Sequence, residues 1–315
     1  MFNRRILRTK VLQVLYATYK KDENSLKKAE NELTFSIQRS YDLMFYLILL
    51  LEDVTAYAKK IIDIRQNKRF ATAEEKKPNL RFINNRITDL LTTNEKYISY
   101  INEHKLSWDN NPELIRKIYQ TLEKSEVFDI YLNQKDDSFR NDKRIIQFFY
   151  SEVLYNCRDL FDSLEEQSIF WINDIDFVIT KLTHIIDNIK KEDVLTLIYP
   201  DIYKQDDDKD FVFSLLHNTL IHTDEYTEII NKIVVNWDVD RIADTDKFIL
   251  LTAISEIIKF PSIPVKVTFN EYIEIAKKFG SEKSGGFING ILDKIITYLE
   301  KENLFKKLGR GLLDK

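Results

Sequence analysis

Glycine and proline are so scarce in this chain that they restrict its fold before any motif is considered. Six glycines and five prolines in 315 residues leave little material for hairpin turns. Long stretches of helical apolar periodicity run between them, so the sequence predicts an all-α protein. The length suffices for two ordinary domains, or for one domain carrying a large insertion, and 44% hydrophobic content supplies a sizeable core. A net charge of −4 carries no bulk signature of a nucleic-acid binder, so any such site is a local patch. Cys157 is the single cysteine, which excludes an internal disulfide and fits a reducing cytoplasm.

Two segments imitate targeting signals. MFNRRILRTKVLQVLYATYKK is basic and then apolar, yet Gln13 interrupts the apolar run and no small-residue cleavage site follows. LMFYLILLL, residues 43–51, is far shorter than the roughly 20 apolar residues that span a bilayer, and reads as a buried helix. The expectation is a cytoplasmic chain with no membrane attachment.

The periodicity predicts helices over 4–20, 36–68, 80–104, 112–124, 140–166, 172–190, 209–222, 224–235, 244–259, 267–279 and 284–303. Asn111 before Pro112 reads as an N-cap and first helical position. In the first helix Leu7, Val11, Val14 and Leu15 share a stripe, and Arg4, Arg5 and Arg8 flank it as an expected exposed basic edge. The first ten residues also hold Lys10 and no carboxylate. ATAEEKKP, QDDDKD and FPSIP read as loops. Phe149, Leu154 and Asn156 match Phe211, Leu216 and Asn218 at a constant offset, and Asp174 and Asp176 lie near that offset from Asp238 and Asp240, a faint hint of duplication.

Catalytic patterns are missing from the sequence. His104, His184, His217 and His222 show no i, i+4 pairing, and one cysteine cannot build a zinc cluster. Asp206, Asp207 and Asp208 lack the glycine and terminal glutamate of a calcium loop and read as a solvated loop. No carboxylate spacing singles out an acid/base pair. The expectation is a protein without enzymatic activity, cofactor or metal.

Four of the six glycines fall in FGSEKSGGFINGILDKI, residues 279–295. Gly280 and Gly285 have P-loop separation, but Gly286-Phe287 stands where Lys-Ser/Thr is required, and a helix precedes the segment where a strand is needed. Phe269, Ile273 and Ala276 form a stripe ending at Lys277 and Lys278, so Gly280 is expected as a left-handed C-cap. Ser284 suits the next N-cap, with Gly285 and Gly286 in the first turn and Phe287, Ile291, Leu292 and Ile295 as apolar positions. Free N–H groups, a positive dipole end and little side-chain bulk then meet beside Lys278 and Lys283, an arrangement suited to a phosphate backbone. A tight helix–helix turn, with Gly290 allowing close approach, explains the same glycines. Spacing alone leaves both open.

FPSIPVKVTFNEYIEIAKKFGSEKSGGFINGILDKI resembles the C-terminal signature of the NusB family of bacterial transcription antitermination factors. The resemblance extends upstream through DFVFSLLHNTLIHTDEYTEIINKIVVNWDVDRIADTDKFILLTAISEII, and RRILRTKVLQVLY is similar to the family's arginine-rich first helix. It covers roughly 4–20 and 208–300. It implies an all-helical bundle without catalytic activity. With the ribosomal small-subunit protein NusE, such a bundle binds boxA-type single-stranded leader RNA and joins elongating RNA polymerase. By the resemblance Arg4, Arg5 and Arg8 fall in one RNA-contacting region, and Lys283, Phe287 and Asn289, with Lys278 beside them, fall in the other. Tyr16 and Asp246 fall on the NusE-facing side. Arginine suits phosphate, a phenylalanine can stack on a base, and an asparagine amide can read a base edge; Phe287 also lies on an apolar stripe and fits a core position equally well.

The chain departs from the family pattern in two respects. Gly286 stands where a basic or polar residue often precedes the motif phenylalanine. Nearly two hundred residues intervene where a short connection is usual, so the chain divides into a first helix (1–20), a helical insertion (21–205), a NusB-like C-terminal region (206–304) and a tail (305–315). The insertion is expected to be helical and to pack with the NusB-like helices, because 43–51 and IIQFFYSEVLY are too apolar to stay solvated. Two other readings stand beside antitermination. One is a helical protein adaptor without RNA binding. The other is the NusB-like N-terminal part of a ribosomal RNA methyltransferase, which calls for a following cofactor-binding α/β domain where this chain ends at Lys315.

Overall fold

The computed structural model describes residues 1–21, 25–190, 197–234 and 242–312, all-helical throughout those residues apart from an isolated bridge between Phe2 and Tyr203. The chain forms two compact units, one from Met1–Ile37 with Asp201–Lys315 and one from Gln38–Pro200. Among the described residues no helix is long and apolar enough to cross a membrane.

In the first unit α1 (Arg4–Lys20) opens where Asn3 accepts a hydrogen bond from the Ile6 amide, and it buries Leu7, Val11, Val14 and Leu15 as the stripe requires. α2 (Leu26–Gln66) begins in this unit and continues into the other. The C-terminal part supplies α11 (Asp208–Ile221), α12 (Thr223–Ile233), α13 (Asp244–Lys259), α14 (Val265–Phe279) and α15 (Ser284–Lys301). α13 is the core helix. Phe248 to Ile257 are buried on every side of it, and it packs against α1, α11, α12, α14 and α15. The expected end of one helix at residue 235, and Asp238 and Asp240, lie outside the described residues.

In the second unit, residues 43–51 of α2 are buried almost all round, as their composition demands. Tyr46 stacks on Trp108 at 4.0 Å, and Phe45 stacks on Tyr100 at 4.0 Å. The Trp108 indole donates to the Tyr46 carbonyl and the Tyr199 hydroxyl to that of Leu91, so the buried polar atoms of these aromatics are paired. The helices here are shorter than periodicity predicts, and the 71–78 stretch expected as a loop holds a one-turn α3 (Ala73–Lys76) whose Thr72 and Glu75 cap each other's amides. Residues 80–104 give α4 (Arg86–Thr92) and α5 (Glu95–His104), each capped by an asparagine, Asn85 and Asn94. α6 (Pro112–Glu123) starts at the proline, but Asn111 makes no capping bond and donates instead to Ser163. α7 (Glu126–Asn133), capped by Ser125, was not foreseen.

Residues 140–166 are not one helix. α8 (Phe139–Phe148) passes into a π-helical stretch, Phe149–Leu154, and α9 (Arg158–Gln167) follows after a break; α10 is Ile175–Asn188. Phe149 and Leu154 lie in the wider π turn and Asn156 beyond it, whereas Phe211, Leu216 and Asn218 lie in regular α11, so the matching letters stand in different local structure.

Candidate nucleic-acid interface

The expected basic edge of α1 is not free. Arg8 is 3% exposed and Glu256, on α13, 0%. The guanidinium donates from Nε and Nη2 to the two Glu256 oxygens at 2.6 and 2.7 Å, while Thr268 and Tyr272 of α14 donate to the same carboxylate at 2.8 and 3.3 Å. Burial works against the Arg8 charge, but the field and hydrogen bonds of Glu256 outweigh it and hold the guanidinium above its ordinary pKa. The expectation that Arg8 is an exposed phosphate ligand is therefore corrected: it joins three helices in the core. Lys10 is likewise buried.

Arg5 remains half exposed, yet its Nε and Nη2 grip Glu271 of α14 at 2.8 and 2.7 Å. That bond raises the Arg5 pKa. Burial would raise the Glu271 pKa, but Arg5 and the charge of Arg8 bring it below the usual range. Arg4 bridges Asp207 at 2.7 Å and Asp208 at 2.9 Å and lies 4.7 Å over the Phe211 ring. Asp208 is buried and opens α11, so the aspartate run is not simply a solvated loop. Its negative charge sits at a helix N-terminus and beside a cation, both favourable.

The second cluster is built by the α14–α15 turn, and its glycines act differently from expectation. Gly280 is extended, at φ −91°, not left-handed; a Cβ there would lie 2.4 Å from the Ser284 Cβ and 2.7 Å from the Ala276 carbonyl oxygen. Close approach, not backbone handedness, demands glycine at 280. Gly285 similarly leaves room for the Lys277 side chain, whereas Gly286 and Gly290 face open space, so Gly290 serves no helix contact. Ser284 is the first residue of α15 rather than its N-cap. Its hydroxyl accepts from the Ser281 amide and donates to Asp246 at the start of α13. Asp246 is correspondingly turned inward, at 7% exposure, and burial raises its pKa while the Ser284 bond opposes the shift.

The Ser284 amide donates to the Ser281 carbonyl and that of Phe287 to Lys283, which leaves the Gly285 and Gly286 amides without backbone partners in the first turn; Gly285 is buried, so only the Gly286 amide is exposed. Lys278, Lys283 and Asn289 are exposed around them, and Phe287 is half buried. The buried stripe of α15 runs through Ile288, Leu292, Ile295 and Leu299, one position on from Phe287 and Ile291. In α14 the buried stripe is Thr268, Tyr272, Ile275 and Ala276, displaced from Phe269 and Ile273 so that Thr268 and Tyr272 reach Glu256.

The two clusters do not meet at one point. Arg8 pairs with Glu256 near the end of α13, while Lys20, at the other end of α1, pairs with Asp244 at its start, where Ser284 also bonds Asp246. About 15 Å of helix separates those levels at 1.5 Å per residue. The α1 arginines instead face an open cleft of about 550 Å³ lined also by Ser262, Pro264, Val267, Glu271 and Arg310. Arg310 was missed by sequence reasoning; the signal was that the two remaining glycines, Gly309 and Gly311, bracket it. Tyr16 is 38% exposed beside the Lys283 end, edge-on to Phe248 at 6.2 Å, with the Lys20 ammonium 5.6 Å from its ring.

The first unit is an all-helical bundle in which two clusters of cationic side chains lie towards opposite ends of a buried core helix, the α1 arginines paired with carboxylates and Lys278 and Lys283 exposed at the α14–α15 turn. The sequence model of the NusB family matches residues 196–297. Among curated proteins, the transcription antitermination protein NusB of Salinibacter ruber is 41% identical over 105 residues, 33% of this chain and 66% of that protein. The NusB of Chloroherpeton thalassium is 37% identical over 34% of this chain and 50% of that protein, and the NusB of Bacillus subtilis 44% identical over 29% and 70%. The chain belongs to the NusB family. It spans between half and about two thirds of the first two relatives, and the matched region is its C-terminal third. No solved structure matches it.

Proposed function

We propose that this chain is a cytoplasmic transcription antitermination factor that, with NusE, binds boxA-type single-stranded leader RNA and acts on elongating RNA polymerase through that complex, without catalysis of its own. The observation that carries the reading is the α14–α15 turn. There the exposed Gly286 amide at a helix N-terminus, with exposed Lys278, Lys283 and Asn289, lies within the segment shared with proteins named for antitermination. In this reading Lys278, Lys283 and the Gly286 amide hold phosphate, Asn289 reads a base edge, and Phe287 stacks by its exposed part. Arg4 and Arg5 meet the backbone farther along the strand, and Arg8 positions them from below. Tyr16 faces NusE, while Asp246 supports that face through Ser284.

Fluorescence anisotropy tests this reading with a boxA-like RNA and its scrambled counterpart, with and without NusE, across a salt series. The expected result is tighter binding of the boxA-like RNA when NusE is present, weak binding without it, and affinity that falls as salt rises because phosphate contacts release counterions. Equal affinity for the two RNAs in the presence of NusE would overturn the proposal. One observation favours the alternative of a protein-only adaptor: Arg4, Arg5 and Arg8 are all engaged by carboxylates. That reading predicts NusE binding with no RNA discrimination.

A further inference from the structure

The segment that follows α15 lies beyond the stretch matched by the family, yet it is fastened to the arginine cleft. The Lys307 ammonium donates to the Ile257 and Phe260 carbonyls at 3.0 and 3.1 Å, satisfying acceptors left open at the C-terminus of α13. The Leu308 amide donates to the Pro261 carbonyl at 3.0 Å. Gly309 then takes φ +54°, a left-handed turn that favours glycine, and Gly311 is buried so closely that a Cβ would lie 2.0 Å from the Pro261 oxygen. Two glycines and one lysine thus fix a short 3-10 turn, Gly309–Leu312, against the 260–264 loop. The residue held between the glycines is Arg310, exposed and lining the cleft with Arg4, Arg5 and Arg8.

Charge distinguishes Arg310 from the other three. Arg4 is held by Asp207 and Asp208, Arg5 by Glu271 and Arg8 by Glu256, whereas Arg310 makes no ion pair among the described residues. A phosphate entering the cleft must compete with carboxylates for the α1 arginines, and Glu271 repels it. At Arg310 it meets no competitor, and a guanidinium presents donors matched to phosphate oxygens.

We propose that residues 307–312 form a strap that completes the RNA-binding surface by presenting Arg310 as a phosphate ligand at the α1 end. The proposal rests on the RNA-binding function above, and it assigns a backbone contact that carries no sequence information.

The test compares the unaltered protein with Arg310→Gln, Arg310→Lys and Lys306→Gln in anisotropy titrations against the boxA-like RNA and the scrambled RNA, both with NusE and over a salt series. Arg310→Gln is expected to weaken both RNAs severalfold and equally, and to reduce the slope of log affinity against log salt by about 0.7, the increment of one single-strand phosphate contact. Arg310→Lys should keep the slope. Lys306→Gln removes a neighbouring exposed charge that does not line the cleft, and should change little. An unchanged slope in Arg310→Gln, or an equal fall in Lys306→Gln, overturns the strap. If the unaltered protein binds both RNAs equally, the antitermination reading fails while the slope comparison still decides the strap; if it binds neither even at low salt, both fall.

Discussion

Arg8 illustrates how a residue chosen for a ligand by its type can belong to the core. Its partner carboxylate has four donors from two helices and no solvent, so removing the guanidinium leaves Glu256 buried with an uncompensated charge. Arg8→Ala should therefore cost about 3–5 kcal/mol of stability, read by urea denaturation with helical ellipticity as the signal. Replacing both members, Arg8→Met with Glu256→Leu, should lose much less, because no buried charge is then left unpaired. A loss below 1 kcal/mol for Arg8→Ala would mean that Glu256 finds another partner or takes up a proton. Lysine would be a poor substitute at this position, since it cannot make the two parallel bonds to Glu256.

At the scale of elements, the α14–α15 junction separates glycines that are needed from those that are not. Gly280→Ala must push aside Ser284, whose hydroxyl joins the Ser281 amide to Asp246, and backbone at Ala276 that cannot yield. It should destabilise by about 1–3 kcal/mol, as overpacking does. Gly290→Ala adds a methyl to open space in a helix interior and should stabilise by roughly 0.5–1 kcal/mol. Thermal unfolding of the two variants separates these signs. A stabilised Gly280→Ala would remove the close-packing account of this turn. The contrast was not legible in the sequence, because a string of letters marks four glycines alike and the distance to a neighbouring helix is what tells them apart.

For the whole molecule, charge balance is the quantity on which the proposed RNA binding turns. The arginines of α1 are distant in sequence from Asp207, Glu256 and Glu271, so their neutralisation appears only when α11, α13 and α14 come together. Asp207 is 70% exposed and 2.7 Å from Arg4. Asp207→Asn should free the outer edge of the Arg4 guanidinium, which keeps Asp208, and on the proposed function should strengthen binding of boxA-like and scrambled RNA alike at low salt and steepen the salt dependence, measured by the same anisotropy titrations. A change confined to the boxA-like RNA would instead make Asp207 a contact that reads sequence.

The sequence by itself determined the helical class, the start of α1 and its apolar stripe, the span of α13, and the family, because periodicity, capping residues and motif spacing are local properties of the chain. It also marked 43–51 as buried, since a helix apolar on all sides has no face to give to water. Only the tertiary structure decided that Arg8 is core and that Arg310 lines the cleft without an ion pair among the described residues, and that Gly280 is fixed by contact while Gly290 faces open space. Burial, pairing and steric fit depend on which distant segments lie alongside a residue, and that is a property of packing, not of periodicity.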